Sequence, residues 1–163
     1  MKARRAEAAD AAAIARIYNE GIEERLATFE TEARSEEDVA RWVAEDDPVV
    51  VTVEDGAVVA WAAAHEYRPR PCYTGVGDFS IYVARARRGR GYGRATLSAL
   101  IDECEQRGYW KLVSRIFSEN EASLALCRAV GFREVGVYRR HARLDGEWRD
   151  CVIVELLLGD AAR

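Results

Sequence analysis

Apolar residues follow a helical spacing in the first quarter of the chain. Between residues 11 and 22 they recur every three or four positions, as on the buried face of an amphipathic helix. The pattern predicts a helix over 11–22, with Asp10 as its N-cap because a carboxylate can accept hydrogen bonds from the free N–H groups of a first turn. A second, acidic helix is predicted to open at Ser35 and to run through residue 44.

The remaining apolar runs alternate between strand-like and helix-like patterns. Two runs flank Asp55-Gly56, a pair typical of hairpin turns. After the hairpin we predict, in order, a strand over 78–84, a helix over 93–107, a strand over 110–117, a helix over 123–130, and two strands over 132–142 and 150–158. This alternation predicts an α/β fold in which helices pack on a mixed sheet.

Composition limits the classes of protein that the chain can belong to. Its 163 residues are enough for one domain, 1–163, with a continuous core. The net charge of −4 argues against a surface that coats nucleic acid. The four cysteines are widely separated, so we expect neither a metal site nor a disulfide framework. No apolar run is long enough for a membrane span or a signal peptide, and we expect a cytoplasmic protein with no membrane partner.

One segment, "ARARRGRGYGR" at residues 84–94, concentrates positive charge and glycine. It lies between a predicted strand and a predicted helix, where free N–H groups and the helix dipole favour an anion. Its glycine spacing matches neither the P-loop nor the Rossmann fingerprint. Two other interpretations stay open: a solvated flexible loop, or contact with nucleic-acid phosphates, for which Tyr92 alone supplies an aromatic ring within the segment.

The same segment resembles the acetyl-coenzyme A motif R/Q-x-x-G-x-G/A of the GNAT superfamily of N-acetyltransferases, formed here by Arg88, Gly91 and Gly93. Farther along, "SENEASLALCRAVGF" is similar to the superfamily's second marker, an Asn followed by a short helix and Gly-Phe. Nearly the whole chain resembles the phosphinothricin N-acetyltransferase branch, arsinothricin-acetylating relatives included, through "IYNEGIEERLATFET", "YRPRPCY" and "DGEWRDCVIVELLL". The resemblance implies a central mixed, mostly antiparallel sheet with a splayed central strand pair and flanking helices.

The resemblance also implies that acetyl-CoA is the co-substrate. Its pantetheine arm would pair with a central strand as an added strand does, and a bulge in that strand would direct an N–H to the thioester carbonyl. The residues implied to bind acetyl-CoA are Ile81, Tyr82, Val83, Arg88, Gly89, Arg90, Gly91, Tyr92, Gly93, Arg94, Asn120 and Ser123. Asn120 has a structural interpretation as well, as the N-cap of the helix that follows.

Two positions at which the chain departs from the branch concern proton transfer. Asp78 stands where the branch usually has Glu, and we assign it as the catalytic base, acting directly or through a water. The alternative is an Asp that makes a turn hydrogen bond at a strand start. Cys127 stands where relatives carry His or Tyr, and we expect the thiol to pack in the core while water or another group protonates the CoA thiolate.

The segment "YRPRPCY" supplies the candidate contacts to the acceptor. Arg70 offers a donor fork to a carboxylate, phosphinate or arsonate, with Tyr73 and Phe29 as pocket walls. The alternatives are a solvated arginine and, for Phe29, ordinary core packing. Trp148 and Asp150 match a branch motif near the position where a partner subunit completes the site; they alternatively belong to a packed hairpin. The resemblance thus implies a homodimer.

Together these observations favour a cytoplasmic, acetyl-CoA-dependent N-acetyltransferase. Its acceptor would be the primary amine of a small, amino-acid-like molecule with an anionic group, such as phosphinothricin, arsinothricin, or methionine sulfone or sulfoximine, which would give the enzyme a role in antibiotic resistance. A non-catalytic CoA-binding regulatory module of the same fold is the alternative, motivated by the changes at Asp78 and Cys127. A nucleic-acid binder is a third class, and we expect no nucleic-acid partner.

Overall fold

A seven-stranded mixed sheet organises the molecule, which a computed structural model describes over residues 1–163. The strands lie side by side in the order β1-β2-β3-β4-β5-β7-β6, and every neighbouring pair is antiparallel except β4 and β5. They are β1 (Lys2–Arg5), β2 (Val49–Glu54), β3 (Ala57–Glu66), β4 (Val76–Val83), β5 (Lys111–Phe117), β6 (Arg133–Leu144) and β7 (Glu147–Leu157). The expected mixed, mostly antiparallel sheet is confirmed.

Four helices cover the two faces of this sheet: α1 (Ala11–Glu24), α2 (Glu36–Ala44), α3 (Tyr92–Gln106) and α4 (Glu121–Ala129). On one face Leu97 and Leu100 of α3 join a core with Phe79 of β4. On the other face the buried stripe of α1, including Ile14, packs against Trp61 of β3. Burial on both faces explains why β3 reads as an almost uninterrupted apolar run. No helix is both long and apolar enough to cross a membrane.

The start of the chain differs from the sequence prediction. Asp10 precedes α1, but its carboxylate makes no capping bond to that helix. It accepts two hydrogen bonds from Arg4, at 2.7 and 3.0 Å, and one from the N–H of Glu7, at 2.8 Å. Arg4 belongs to β1, a strand that the charged sequence "KARR" did not predict. Asp10 is thus the N-cap residue of α1, as predicted, but the capping hydrogen bond is not formed because Arg4 and the N–H of Glu7 occupy its carboxylate.

The parallel pair in the middle of the sheet opens soon after it forms. β4 and β5 are paired only at Val76–Lys111, Gly77–Leu112 and Asp78–Val113. At the next position the hydroxyl of Ser114 donates to the carbonyl of Phe79 at 2.9 Å, and the strands then diverge. This confirms the splayed pair. The implied bulge is not found in the ladder with β3, because β4 keeps one unbroken register from Ala60–Val83 to Glu66–Gly77.

Candidate active site

The split between β4 and β5 opens into a channel along the inner edge of β4. A cavity of about 400 Å³ contains Asp78 at one end, and a second cavity of about 410 Å³ reaches the arginine-glycine loop. The two cavities share five lining residues: Ile81 and Tyr82 of β4, Ser123 of α4, its N-cap Asn120, and Ala27. A ligand lying in the channel could therefore touch the charged loop and Asp78 at the same time.

The exposed edge of β4 presents backbone groups that have no strand partner. The N–H of Ala84 bonds to the carbonyl of Val59 at 2.8 Å, so residues in phase with Ala84, such as Tyr82, direct their backbone toward β3. Ile81 and Val83 are out of phase and direct theirs into the channel. In agreement, the carbonyl of Val83 accepts a hydrogen bond from Arg88 at 3.2 Å. The edge can therefore receive an extended, strand-like ligand.

Tyr82 contributes its side chain to the channel. Its ring stacks on Trp61, with ring centroids 5.1 Å apart, and meets Tyr18 edge-on at 4.9 Å. Gly21 of α1 makes this possible, since a Cβ there would lie 2.6 Å from the ring. Burial raises the pKa of Tyr82 far above its ordinary value, so the hydroxyl stays protonated. The backbone of Tyr82 pairs with β3, whereas the resemblance implied that it pairs with the pantetheine arm.

The arginine-glycine loop is rich in free N–H donors. The N–H groups of residues 88–94 make no backbone hydrogen bond within the chain, and those of the first turn of α3 have no helical partner. Gly89 and Gly91 take φ angles of +73° and +85°, which side chains other than glycine adopt only with strain. The loop thus gathers donors at a helix N-terminus, as an anion site requires.

One carboxylate already contacts this loop. Glu24, at the end of α1, accepts hydrogen bonds from Arg88 at 2.8 and 3.0 Å and from Arg85 at 2.7 Å. Burial works against the charge of Glu24, but these two guanidinium groups outweigh it and lower its pKa. Arg90 and Arg94 are exposed and make no ion pair. An anionic ligand of the loop can therefore bind Arg90 and Arg94, which have no ion-pair partner, whereas the charge of Arg88 is already partly neutralised by Glu24.

Asn120 caps α4 and also lines the channel. Its side-chain oxygen accepts the N–H of Ser123 at 3.2 Å, which confirms the capping interpretation. Because the oxygen is engaged in the cap, the amide NH₂ is the group left to donate to a ligand. Contact between acetyl-CoA and Asn120 or Ser123 stays a prediction.

Asp78 lies at the point where β4 and β5 separate. The only hydrogen bond of its carboxylate comes from Nη2 of Arg115 to Oδ2, at 2.6 Å, so the turn hydrogen bond considered as an alternative is not formed. Burial raises the pKa of Asp78, while Arg115 and the cross-strand neighbour His65 offset part of this effect. A carboxylate with a raised pKa is a better proton acceptor than an ordinary Asp, which suits the predicted base.

Cys127 packs in the core, as expected. It is almost inaccessible and lies with Phe79 and Leu124 in the cluster beneath α3 and α4. Burial raises the pKa of its thiol to about 12, and it does not line the channel. That water or another group protonates a departing thiolate stays a prediction.

The three predicted acceptor contacts lie in two places. Phe29 lines the Asp78 cavity and packs edge-on against Phe117, with centroids 4.7 Å apart. Arg70 and Tyr73 lie on the loop between β3 and β4; Arg70 is exposed and Tyr73 packs on Tyr67 at 5.3 Å. Neither lines the channel of the single chain. Their roles at the acceptor stay predictions.

Sequence reasoning missed the two basic residues of the Asp78 cavity, Arg115 and His141. Arg115 interrupts the apolar strand "KLVSRIF", and a charge inside a buried strand is a signal that could have been used. His141 carries no such signal. It lies in β6 where the register with β7 shifts between Tyr138 and Ala142. Asp150 accepts the N–H of Arg140 there at 2.7 Å, a structural contact for a residue of the C-terminal motif.

The structure contains no group of three or more His, Cys, Asp or Glu side chains that could hold a metal ion. Around Asp78 the channel is lined by polar groups that include Ser114, Arg115 and His141. Those groups, the free β4 edge and the donor-rich loop suit a long anionic ligand with an extended arm, the shape and charge of acetyl-CoA.

Comparison with known proteins agrees with this fit. Residues 13–132 match the Acetyltransferase (GNAT) family. The L-methionine sulfoximine/L-methionine sulfone acetyltransferase of Salmonella typhimurium is 31% identical, over 99% of this chain and 97% of its own. The phosphinothricin N-acetyltransferase of Streptomyces coelicolor is 31% identical, over 82% of each chain.

A solved structure extends the agreement to three dimensions. The phosphinothricin acetyltransferase of Sinorhizobium meliloti in complex with acetyl-CoA superposes with a TM-score of 0.90 at 32% identity, over 98% of this chain and 89% of its own. The family match spans both the loop at residues 88–94 and the Asn120 marker. The resemblance found in the sequence is thus confirmed: the chain belongs to the GNAT family and is an acetyl-CoA-dependent N-acetyltransferase.

Proposed function

We propose that the enzyme acetylates the primary amine of a small, amino-acid-like acceptor that carries an anionic group. Phosphinothricin, methionine sulfone, methionine sulfoximine and arsinothricin are members of this class. The observation that carries the proposal is the channel that joins the donor-rich loop to Asp78. The names of the similar enzymes, which act on phosphinothricin and methionine sulfoximine or sulfone, support the acceptor class. Acetylation of such toxic amino acids would confer antibiotic resistance.

At the cofactor end, the N–H groups of residues 88–94 would bind the pyrophosphate, with Arg88, Arg90 and Arg94 adding positive charge. The backbone of Ile81 and Val83 would hold the pantetheine arm, and Tyr82 would contact it through its ring. Asn120 and Ser123 line the same side of the channel. Acetyl-CoA supplies the acetyl group as an activated thioester.

At the reaction end, Asp78 would take a proton from the acceptor ammonium, directly or through a water, and leave a neutral amine. The free N–H of Ile81 is the candidate donor to the carbonyl oxygen on which negative charge develops. A donor in this role is worth about 3 kcal/mol of transition-state stabilisation. The amine nitrogen forms the new bond to the acetyl carbon and the bond to the thiolate breaks. The nitrogen then loses its second proton to water, and a channel hydroxyl or water protonates the sulfur.

We propose that the active enzyme is a homodimer, formed at the exposed edge strand β6. Val135, Val137 and Tyr138 of β6 and Trp148 of β7 are each about half exposed. An unpaired apolar edge is a ready surface for a second copy. Arg70 and Tyr73 would contribute to the acceptor site once this assembly forms. We further propose that residues 1–163 form one domain and that the protein is cytoplasmic, where its four free cysteines would stay reduced.

The test is acetyl-CoA consumption with a panel of phosphinothricin, arsinothricin, methionine sulfoximine, methionine sulfone, aminoglycosides and polyamines. Turnover confined to the amino-acid-like acceptors is the expected result. Turnover of aminoglycosides or polyamines alone would contradict the acceptor class. Binding of acetyl-CoA without turnover of any amine would favour the non-catalytic CoA-binding alternative, and salt-dependent binding to polynucleotide without competition by CoA would favour the nucleic-acid alternative.

A further inference from the structure

Asp78 and Arg115 form an ion pair that leaves half of each partner free. A single contact joins Oδ2 of Asp78 to Nη2 of Arg115. Oδ1 of Asp78 and the Nε and Nη1 groups of Arg115 make no hydrogen bond within the chain. The side chains are 26% and 43% exposed, so the unused oxygen and the unused donors are accessible to a small molecule in the cleft.

The position of Arg115 on β5 directs it to the acceptor side of the sheet. Side chains alternate along a strand, and the neighbouring Ile116 packs in the core beneath α3 and α4. Arg115 shares the opposite face with Phe117, which packs on Phe29. Apart from Asp78 it has no carboxylate partner. A guanidinium with five donors, one of them used, is thus present where an acceptor would bind.

The free halves of this pair match the two charges of an α-amino acid. Such a molecule carries an ammonium and a carboxylate on one carbon, and its ammonium would bind Oδ1 of Asp78 while its carboxylate bound the guanidinium of Arg115. The acceptor ammonium would then be paired with the carboxylate of Asp78, and the acceptor carboxylate with the guanidinium of Arg115. A simple amine could use only Asp78, and its ammonium would face the positive charge of Arg115 without compensation.

We propose that Arg115 anchors the α-carboxylate of the acceptor and thereby selects zwitterionic α-amino acids over other amines. This inference rests on the proposed function and adds to it a residue and a charge pattern. It also separates two anion contacts: Arg115 takes the α-carboxylate, whereas Arg70 is the candidate for an anionic group on the acceptor side chain.

Binding at Arg115 has a consequence for the base. Arg115 and His65 are the cationic or titratable groups that stabilise the ionised form of Asp78. A carboxylate bound to Arg115 neutralises part of that positive charge, so Asp78 takes up a proton more readily when an α-amino acid is in place. Binding of an α-amino acid acceptor thus makes Asp78 a stronger base.

The experiment compares L-methionine sulfoximine with its α-carboxamide, in which the amine is kept and the carboxylate is neutral. We expect the wild type to prefer the carboxylate by about 100-fold in kcat/KM, the range for losing a charge-assisted hydrogen-bond pair. Arg115→Gln should remove most of this preference, chiefly through KM, and Arg115→Lys should retain part of it because the charge remains without the fork. Arg16→Gln is the matched control, since Arg16 also contacts a single carboxylate but lines neither cavity, and it should leave the preference between the two acceptors unchanged.

Several outcomes would overturn the inference. If the wild type acetylates both compounds equally, or if Arg115→Gln slows both equally, Arg115 does not bind the α-carboxylate. The proposed function would still stand in either case. If the wild type acetylates other amines but no α-amino acid, the proposed acceptor class fails together with the inference. Should Arg115→Gln not fold, the wild-type preference and the Arg115→Lys kinetics decide the matter.

Discussion

The two ends of the channel use different kinds of polar group. At the cofactor end, the donors are backbone N–H groups from one continuous segment, residues 88–94, at the start of a helix. At the acceptor end, the polar groups are side chains from β4, β5 and β6, with Asp78 and Arg115 separated by 37 positions. The first end depends on local backbone conformation, and the second depends on how the sheet brings distant strands together.

This difference predicts that single substitutions act differently at the two ends. A backbone site is disturbed by changing a glycine and tolerates the loss of one side-chain charge. A side-chain site is disabled by replacing one charged group and tolerates backbone strain elsewhere. The variants below test this contrast, from the largest expected effect to the smallest.

Asp78→Asn should have the largest effect, because it removes the base but keeps the shape of the side chain. We expect kcat to fall by about 100- to 10,000-fold, the range for general-base catalysis, with unchanged affinity for acetyl-CoA. The acidic limb of the pH–rate profile, which should lie above the ordinary Asp value of about 3.9 because burial raises the pKa of Asp78, should disappear. Asp102→Asn, the same change at an exposed position of α3, is the control. Unaltered kcat in Asp78→Asn would leave Asp78 without a catalytic role.

The raised pKa of Asp78 also predicts how Asp78→Asn affects the stability of the fold. Because the pKa of Asp78 is higher in the folded protein than in the unfolded chain, the folded state binds more protons between the two values, and the free energy of unfolding falls as pH rises through that window. The ionised carboxylate therefore destabilises the fold at neutral pH. Asp78→Asn should not lower Tm at pH 7, and a clear drop in a melting curve would show that the bond with Arg115 outweighs the burial.

Gly91→Ala should weaken acetyl-CoA binding by about 10-fold, since an alanine at φ +85° is strained by about 1–2 kcal/mol and the loop would move to relieve it. Gly56→Ala is a matched control: Gly56 has φ +76°, also has open space around it, and lies in the β2–β3 turn. Calorimetry should show a loss of affinity for Gly91→Ala alone, while both variants lose similar stability. Equal affinities in the two variants would argue against a pyrophosphate site in this loop.

Substitutions of Asn120, which lines both cavities, separate its role in capping α4 from its role in binding acetyl-CoA. Asn120→Ala should reduce the free energy of unfolding by about 1 kcal/mol because the cap of α4 is lost. Asn120→Asp keeps a capping oxygen but removes the NH₂ donor, so its stability should stay near wild type while acetyl-CoA affinity falls. Urea unfolding and calorimetry measure the two effects separately. If Asn120→Asp binds acetyl-CoA normally, the cap is the whole role of this residue.

Glu24→Gln should give the smallest change, and in the opposite direction. It releases Arg88 and Arg85, and because partly exposed ion pairs are worth at most about 1 kcal/mol, acetyl-CoA affinity should rise by about 2- to 5-fold. Glu23→Gln is the control, since Glu23 is far more exposed and only approaches Arg85 at 3.6 Å. Weaker binding in Glu24→Gln would mean that Glu24 orders the loop instead of competing with the ligand.

The contrast between the two ends also explains what the sequence could predict. The loop and the Asn120 cap depend on residues close in sequence. Local charge and glycine content therefore indicated an anion site, a capping rule indicated Asn120, and the family resemblance pointed to acetyl-CoA as the ligand. The Asp78–Arg115 pair, the shifted register near His141 and the capture of Asp10 by Arg4 depend on strand pairing. Strand order is set by tertiary packing, and a charged strand such as β1 has no apolar alternation to reveal it.

The split between β4 and β5 leaves the sheet one strand short along the edge that carries Ile81 and Val83. A ligand that pairs with this edge becomes part of the architecture, and its affinity is added to the stability of the protein. At a concentration 100 times its Kd, a ligand bound only by the folded state adds about 2.7 kcal/mol to the free energy of unfolding. The amide hydrogens of Ile81 and Val83 would then exchange slowly with solvent, whereas in the free enzyme they exchange as readily as those of an edge strand. Amide exchange at these two positions would therefore report directly how fully the missing strand has been replaced.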